Sequence, residues 1–185
     1  MRQLLINIAL PILVFMSGSV LADSFKLKSE DIVNGQFMTK LHEFQGFGCQ
    51  GGNTSPQLSW ADAPKGTKAF ALFVHDADAP TGSGWWHWQL VNIPKSVNAL
   101  VKDAGNPNKN LTPSGVTKIK NDYGIKGYGG ACPPRGHGVH HYKFTLHALS
   151  KKLVLPPDAS GALTGYMVKS HSIASSTIEA LYKRD

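Results

Sequence analysis

Residues 129–149 read Gly-Gly-Ala-Cys-Pro-Pro-Arg-Gly-His-Gly-Val-His-His-Tyr-Lys-Phe-Thr-Leu-His-Ala-Leu, and this stretch decides the fold. Its first half places two consecutive prolines, which fix φ and lack a backbone N–H, among four glycines, so it predicts an irregular loop. Its second half alternates in polarity, and one face collects His140, Tyr142, Phe144, Leu146 and Ala148. The stretch therefore predicts a glycine-rich loop that delivers a histidine and a tyrosine to the apolar face of a strand.

Two other predicted strands also carry polar residues next to Gly/Pro loops. The segment Lys68–Asp76 is apolar on both faces, which indicates a central strand that ends in Asp76. The segment Trp85–Ile93 predicts a second long strand, with His87 on the face opposite Trp86 and Trp88. Because buried polar groups need partners, we expect these polar residues to meet in one pocket: Asp76, His87, His140 and Tyr142. The alternative is that each is satisfied separately at its own strand end.

The remaining patterns favour a mainly-β chain. Short alternating segments predict strands at Ser24–Glu30 and Gln36–Phe44, and Ser160–His171 predicts a helix. Ser175–Tyr182 favours a closing strand over a helix, and residues 96–120 predict a long surface loop. We therefore expect a two-sheet antiparallel sandwich with one or two short helices.

The N-terminal segment predicts export. Met1–Ala22 combines Arg2, an apolar run and Val-Leu-Ala, which is typical of a signal peptide; a membrane anchor is the alternative. Residues 23–185 then form one domain, in a periplasmic or secreted protein without an integral membrane segment. In an oxidising compartment the even cysteine count favours a bridge between Cys49 and Cys132 over two free thiols.

Composition and motifs limit the chemistry. The formal net charge of +7 favours anionic partners, but the lysines are scattered, so we expect no nucleic acid binding. Asp76 facing a histidine, a tyrosine hydroxyl and the N–H groups of a glycine loop would form a donor-rich pocket that suits an oxyanion such as phosphate. His140 and His141 point to opposite faces of one strand, so we expect no metal site. No nucleophile elbow, metalloprotease helix or P-loop occurs, which predicts a non-enzymatic protein without a cofactor.

Four stretches resemble the bacterial branch of the phosphatidylethanolamine-binding protein family, also called Raf kinase inhibitor proteins. In chain order they are residues 51–60 (Gly-Gly-Asn-Thr-Ser-Pro-Gln-Leu-Ser-Trp), 76–80 (Asp-Ala-Asp-Ala-Pro), 86–94 (Trp-His-Trp-Gln-Leu-Val-Asn-Ile-Pro) and 133–142 (Pro-Pro-Arg-Gly-His-Gly-Val-His-His-Tyr). Together they span nearly the whole predicted domain. The resemblance implies a β-sandwich whose pocket binds phosphate-type groups, including phospholipid head groups.

The resemblance also implies pocket residues. It places them at Asp76, His87, His140 and Tyr142, with the rim shaped by Asp78, Pro80 and Pro133. Two departures stand out, because Ala77 replaces a proline of the acidic signature and Cys132 stands where many relatives have glycine. A side chain at Cys132 would narrow the pocket or, if bridged to Cys49, clamp its wall.

The sequence thus predicts an exported, monomeric or dimeric, non-enzymatic protein that binds a small anionic ligand. His87 and His140 would donate hydrogen bonds to the anion, Asp76 would orient a histidine, and Tyr142 would donate or wall the site. Two alternatives remain: a hydrolase that uses the same histidine cluster, and a protease inhibitor or protein-interaction factor that docks through residues 96–120.

Overall fold

The computed structural model describes residues 25–185, so the signal peptide predicted at residues 1–22 lies outside the described part of the chain. Within residues 25–185 the chain forms ten strands, one α-helix and one short 3-10 turn. In order they are β1 (Lys26–Lys28), the 3-10 turn (Lys40–His42), β2 (Gln45–Gly46), β3 (Cys49–Gln50), β4 (Leu58–Ala61), β5 (Ala69–Asp76), β6 (Trp85–Pro94), β7 (Ala99–Leu100), β8 (Thr117–Lys118), β9 (His140–Leu149), α1 (Gly161–His171) and β10 (Ser172–Tyr182). Among these described elements, no helix is long and apolar enough to cross a membrane.

Two antiparallel sheets enclose the main core. The larger sheet has the order β10-β9-β5-β6-β8, the smaller one β1-β4-β7, and β2 and β3 form a separate hairpin. Apolar side chains of both sheets fill the space between them, among them Leu27, Leu58, Trp60, Leu72, Phe144 and Leu146. The predicted mainly-β, antiparallel fold class is confirmed.

The helix α1 covers part of the outer face of the large sheet. A second apolar cluster lies there, and Val168 of the helix packs against Phe73 and Val91 of the sheet. Ser160 begins the helix, because its hydroxyl accepts a hydrogen bond from the backbone N–H of Leu163 at 3.1 Å. The predicted helix at residues 160–171 is therefore confirmed.

Two of the predicted strands are confirmed and one is wrong. β9 alternates as predicted, and β10 is a strand that begins at Ser172 rather than Ser175. The strand predicted at Gln36–Phe44 is wrong, because this segment contains the 3-10 turn and contacts its neighbours through two isolated bridges. Its short alternation reflects a segment that runs along the ends of β10 and the glycine-rich loop without joining a sheet.

Two bulges in β6 change which residues share a face. Against β5, Trp88 pairs with Val74 and Trp86 pairs with His75, so His87 is an extra residue between two pairs. A second irregularity lies nearer the end of the strand, between the pairs formed by Ile93 and Leu90. The bulges explain why strict alternation misassigned Trp88, which lies in the core between the sheets on the same side as His87.

Candidate functional site

One end of the large sheet carries a cavity of about 200 Å³. Strand ends supply its floor: Asp76 ends β5, and Asp76 pairs with Trp85 at the start of β6 and with Tyr142 near the start of β9. Loops supply the walls. The lining residues are Phe47, Asp76, Ala79, Pro80, Thr81, Trp85, His87, Tyr123, Cys132, Pro133, Pro134, His140 and Tyr142.

A chain of hydrogen bonds runs from the buried carboxylate towards the surface. His140 Nδ1 lies 2.7 Å from Asp76 Oδ2, and both side chains are almost completely buried. The other nitrogen, His140 Nε2, lies 2.8 Å from Nδ1 of His137, which stands in an exposed loop. The carboxylate therefore fixes the orientation of His140, as predicted for Asp76, and His137 already engages the nitrogen of His140 that was expected to donate to a ligand.

His87 is held by the glycine-rich loop and not by a carboxylate. Its Nδ1 lies 2.8 Å from the carbonyl oxygen of Gly129 and 3.1 Å from that of Gly130. Burial lowers the pKa of His87 to about 4, although the two carbonyls and the charge of Asp76 act in the opposite direction. At neutral pH the ring is therefore uncharged, which changes the donor role predicted for it.

Three buried polar atoms on residues that line the cavity have no hydrogen-bond partner within 3.5 Å among residues 25–185. They are Nε1 of Trp85, Nε2 of His87 and the hydroxyl of Tyr142. Burial raises the pKa of Tyr142, and the carboxylate of Asp76 raises it further, so the hydroxyl keeps its proton. Because an unpaired buried polar atom costs about 1–3 kcal/mol, three of them on residues that line one cavity make this cavity the candidate site.

A disulfide joins two walls of the cavity. Cys49 and Cys132 are bonded and lie 83 positions apart in the sequence, which confirms the predicted bridge. Cys132 itself lines the cavity, and so does Phe47, at the tip of the hairpin that carries Cys49. Phe47 has a positive φ of 49° and lies between Gly46 and Gly48, so the tip turns in a left-handed conformation. The bridge therefore fixes the position of an otherwise exposed aromatic rim.

Tyr123 forms an aromatic wall next to this rim. Its ring stacks on Phe44 with the centroids 3.9 Å apart and meets Trp85 edge-on at 5.2 Å. Its hydroxyl donates to the carbonyl of Gly130 at 3.1 Å, the same carbonyl that accepts from His87. Tyr123 thus couples the aromatic wall to the loop that orients His87.

The structure brings together most of the residues predicted for the site. Asp76, His87, His140, Tyr142, Pro80 and Pro133 all line the cavity. Asp78 does not line it. The carboxylate of Asp78 instead accepts hydrogen bonds from the backbone N–H of His141 at 2.8 Å and from its ring at 2.7 Å, which ties the acidic loop to the start of β9.

Sequence reasoning missed several lining residues. Trp85 walls the cavity, whereas Trp86 packs on the outer face of the sheet and Trp88 lies in the core. Trp85 lies two positions before His87, so strand alternation offered a usable signal for it. Phe47 and Tyr123 lie in loops without any periodic pattern, so no local signal pointed to them.

The predicted absence of a metal site stays a prediction. Within the described chain, no three or more His, Cys, Asp or Glu side chains are placed to hold a metal ion. The neighbours His140 and His141 do point to opposite faces of β9, since His140 faces the cavity and His141 contacts Asp78.

The described domain matches a known protein family. Residues 28–183 match the family described as phosphatidylethanolamine-binding protein. This range includes all of the residues that line the cavity.

Individual relatives point to the same family. The chain is 47% identical over 173 residues to UPF0098 protein YbcL of Escherichia coli, covering 93% of this chain and 94% of the relative. It is 44% identical over 158 residues to UPF0098 protein YbhB of the same organism, covering 85% and 99% of the two chains. The crystal structure of E. coli YbcL, described as a new member of the mammalian PEBP family, is similar with a TM-score of 0.84 and 48% identity, covering 87% of this chain and 99% of that one.

Proposed function

Because the chain belongs to the phosphatidylethanolamine-binding protein family, we propose that its cavity binds a small anionic ligand of the phosphate or phospholipid head-group type. One observation carries the proposal: three buried polar atoms without a partner within 3.5 Å in the described chain belong to residues that line a single cavity. The cavity of about 200 Å³ has room for a phosphate group with a small substituent. The excess of positive charge on the chain favours the approach of anions.

The residues that line the cavity have different roles in the proposed binding. Trp85 Nε1 and the Tyr142 hydroxyl donate to the anion, because an indole N–H can only donate and the tyrosine hydroxyl is protonated. Asp76 orients His140 at the cavity wall. Apolar surface from Phe47 and Pro80 encloses the ligand and excludes water, which strengthens these hydrogen bonds.

Isothermal titration calorimetry with inorganic phosphate and with phosphorylethanolamine tests this function. We expect saturable binding of either anion, at least tenfold weaker in His87→Ala. His147→Ala is the matched control, because burial also lowers the pKa of His147 to about 4 but His147 lies outside the cavity. The proposal fails if neither anion binds, or if the two variants lose affinity equally.

We propose further that binding proceeds without chemistry. A hydrolase is the second candidate, because the hydrogen-bonded Asp76–His140 pair has the form of a carboxylate that orients a general base. The sulfur of Cys132 is bonded to Cys49, so it offers no thiolate to this pair. A turnover screen with phosphomonoesters and peptides, with Asp76→Asn as the inactive control, separates binding from hydrolysis.

Export completes the proposal. The apolar segment at residues 1–22 and the disulfide both suit a periplasmic or secreted protein, in monomeric or dimeric form. Subcellular fractionation of the tagged full chain tests this location. A protein partner that docks through residues 96–120 would instead be retained in a pull-down when His87 is replaced and lost when that loop is altered.

A further inference from the structure

The end of the large sheet that lies opposite the cavity collects lysines from distant parts of the sequence. Ala69, at the start of β5, pairs with Pro94 at the end of β6 and with Leu149 at the end of β9, so three strand ends lie side by side. Adjacent strands are about 4.8 Å apart, so the loops that leave these ends lie on one surface. Those loops carry five exposed lysines, and we call the surface that they form the lysine end: Lys65, Lys68, Lys95, Lys151 and Lys152.

Hydrogen bonds hold two of these loops against the sheet. The backbone N–H of Lys68 donates to the carbonyl oxygen of Leu149 at 2.8 Å. The side chain of Asn92 binds the backbone of Leu153 twice, because its amide donates to the carbonyl oxygen at 2.9 Å and its oxygen accepts from the N–H at 2.8 Å. Lysines from three loops consequently line one surface depression of about 450 Å³: Lys68, Lys95 and Lys152.

The charges of the lysine end are not neutralised within the described chain. None of the five lysines forms an ion pair there, whereas four other lysines each pair with a carboxylate: Lys102, Lys109, Lys143 and Lys183. The acidic residues of the three loops are Asp62 and Asp158, and neither lines the depression. The lysine end therefore has an excess of positive charge that an anionic partner would offset.

Exposed aliphatic side chains lie beside these lysines. Val154 follows Lys152 by two positions and is 91% exposed. Ile173, at the start of β10, is 44% exposed and lies next to Gly66, in the turn between Lys65 and Lys68. A surface that combines lysines with exposed aliphatic groups suits a lipid bilayer, where the amines reach the head groups and the aliphatic groups enter the boundary with the acyl chains. A nucleic acid would use the lysines alone.

The chain enters the domain at the same end. Lys26 of β1 pairs with Ala61, the last residue of β4, which immediately precedes the loop that carries Lys65 and Lys68. Residues 1–22 are predicted to be a signal peptide, with a membrane anchor as the alternative. In both cases the segment that engages a membrane joins the domain beside the lysine end.

We propose that the lysine end docks on the anionic surface of a lipid bilayer. The lysines contact anionic head groups, and Val154 enters the interface. This docking goes beyond the anion-binding function proposed above and does not depend on it. Ala69 and Asp76 mark the two ends of β5, whose eight residues extend for about 25 Å, so the cavity stays free to bind its ligand while the domain is docked.

Cosedimentation with vesicles tests the docking. The chain without residues 1–22 is used, because it retains the whole described fold and lacks the apolar segment that would itself bind lipid. The probes are vesicles of phosphatidylcholine alone and of phosphatidylcholine and phosphatidylglycerol in a two-to-one mixture. We expect binding to the anionic vesicles at low salt, little binding to the neutral ones, and release in 1 M salt, where the Debye length falls to about 3 Å.

Two triple variants locate the surface. Replacing Lys68, Lys95 and Lys152 together by glutamine should lower the partition coefficient about a hundredfold, because each lysine near an anionic membrane contributes about fivefold. The matched control replaces three exposed lysines outside the lysine end and should bind within a few-fold of the wild type: Lys40, Lys120 and Lys126. Val154→Ser should weaken binding several-fold without changing the net charge.

The outcomes separate this docking from the function of the cavity. Equal losses in the two triple variants would overturn the proposal, because net charge alone would then attract the protein to the vesicles. Equal binding to both kinds of vesicle, or binding to neither, would overturn it too. Binding that is lost in His87→Ala and kept in the lysine variant would show that the cavity captures the lipid. Tighter binding to duplex DNA than to anionic vesicles would assign the lysine end to nucleic acid instead. None of these results would decide whether the cavity binds phosphate, which calorimetry measures separately.

Discussion

Lowering the pH from 8 to 5 should destabilise this protein through His87. Burial lowers the pKa of His87 to about 4, whereas the unfolded chain takes up this proton near pH 6.5. The stability that the neutral ring contributes is therefore full above about pH 6.5 and is lost as the pH falls towards about 4. Two titration curves with these pKa values predict a loss of about 2 kcal/mol in the free energy of unfolding between pH 8 and 5.

Urea unfolding at pH 8, 7, 6 and 5, in buffers free of phosphate and sulfate, measures this loss. His87→Gln should reduce the difference between pH 8 and 5 by about 2 kcal/mol, whatever its effect at pH 8. His147→Gln is the matched control, because it removes the separate contribution of a half-buried histidine whose pKa burial also lowers, and it leaves that of His87. If His87→Gln unfolds with the pH dependence of the wild type, His87 is not buried as a neutral ring and the reasoning is wrong.

Two further predictions concern the cavity walls. Replacing Cys49 and Cys132 together by serine frees a loop of 83 positions, so urea unfolding should show a loss of about 4 kcal/mol, and calorimetry a weaker phosphate affinity; a loss below about 1 kcal/mol would contradict this. Gly130→Ala places a Cβ 2.3 Å from the carbonyl oxygen of His42, which the backbone cannot relieve without shifting the loop, so both stability and phosphate binding should fall. Gly82→Ala is the control, since a Cβ there meets nothing within 4 Å, and equal effects of the two alanines would refute the steric argument.

Local pattern predicted the floor of the site because its residues lie on regular strands. Asp76, His140 and Tyr142 each follow the alternation of their strand, so their common face could be read from the sequence. The apolar residues that share this face bury it against the smaller sheet, which leaves the polar residues at one end. The alternation of residues along the strands, with a period of two, was therefore sufficient to predict most of the cavity floor.

The walls were not predictable in the same way because they depend on contacts between distant segments. Phe47 reaches the cavity through a hairpin that is tied to Cys132 by the disulfide. Tyr123 reaches it by stacking on Phe44, about eighty positions away. Neither residue belongs to a periodic segment, so only the assembled fold places them.

His87 was correctly predicted to belong to the site, but the prediction overlooked the bulge in β6 at this residue. Strict alternation placed His87 opposite Trp88, yet the extra residue in β6 turns both towards the same side of the sheet. The bulge also brings the ring within reach of the carbonyls of Gly129 and Gly130. The sequence identified the histidine, but its hydrogen bonds depend on a backbone irregularity that propensity and periodicity do not reveal.

His87 and His140 differ because their hydrogen-bond partners differ. Asp76 accepts a hydrogen bond from Nδ1 of His140 and so fixes the orientation of that ring. Backbone carbonyls carry only partial charge, so at His87 they fix the tautomer without overcoming the cost of burial. It follows that the glycine-rich loop determines which nitrogen of His87 carries the proton. Gly130→Ala should therefore weaken phosphate binding through the orientation of His87, although residue 130 does not line the cavity.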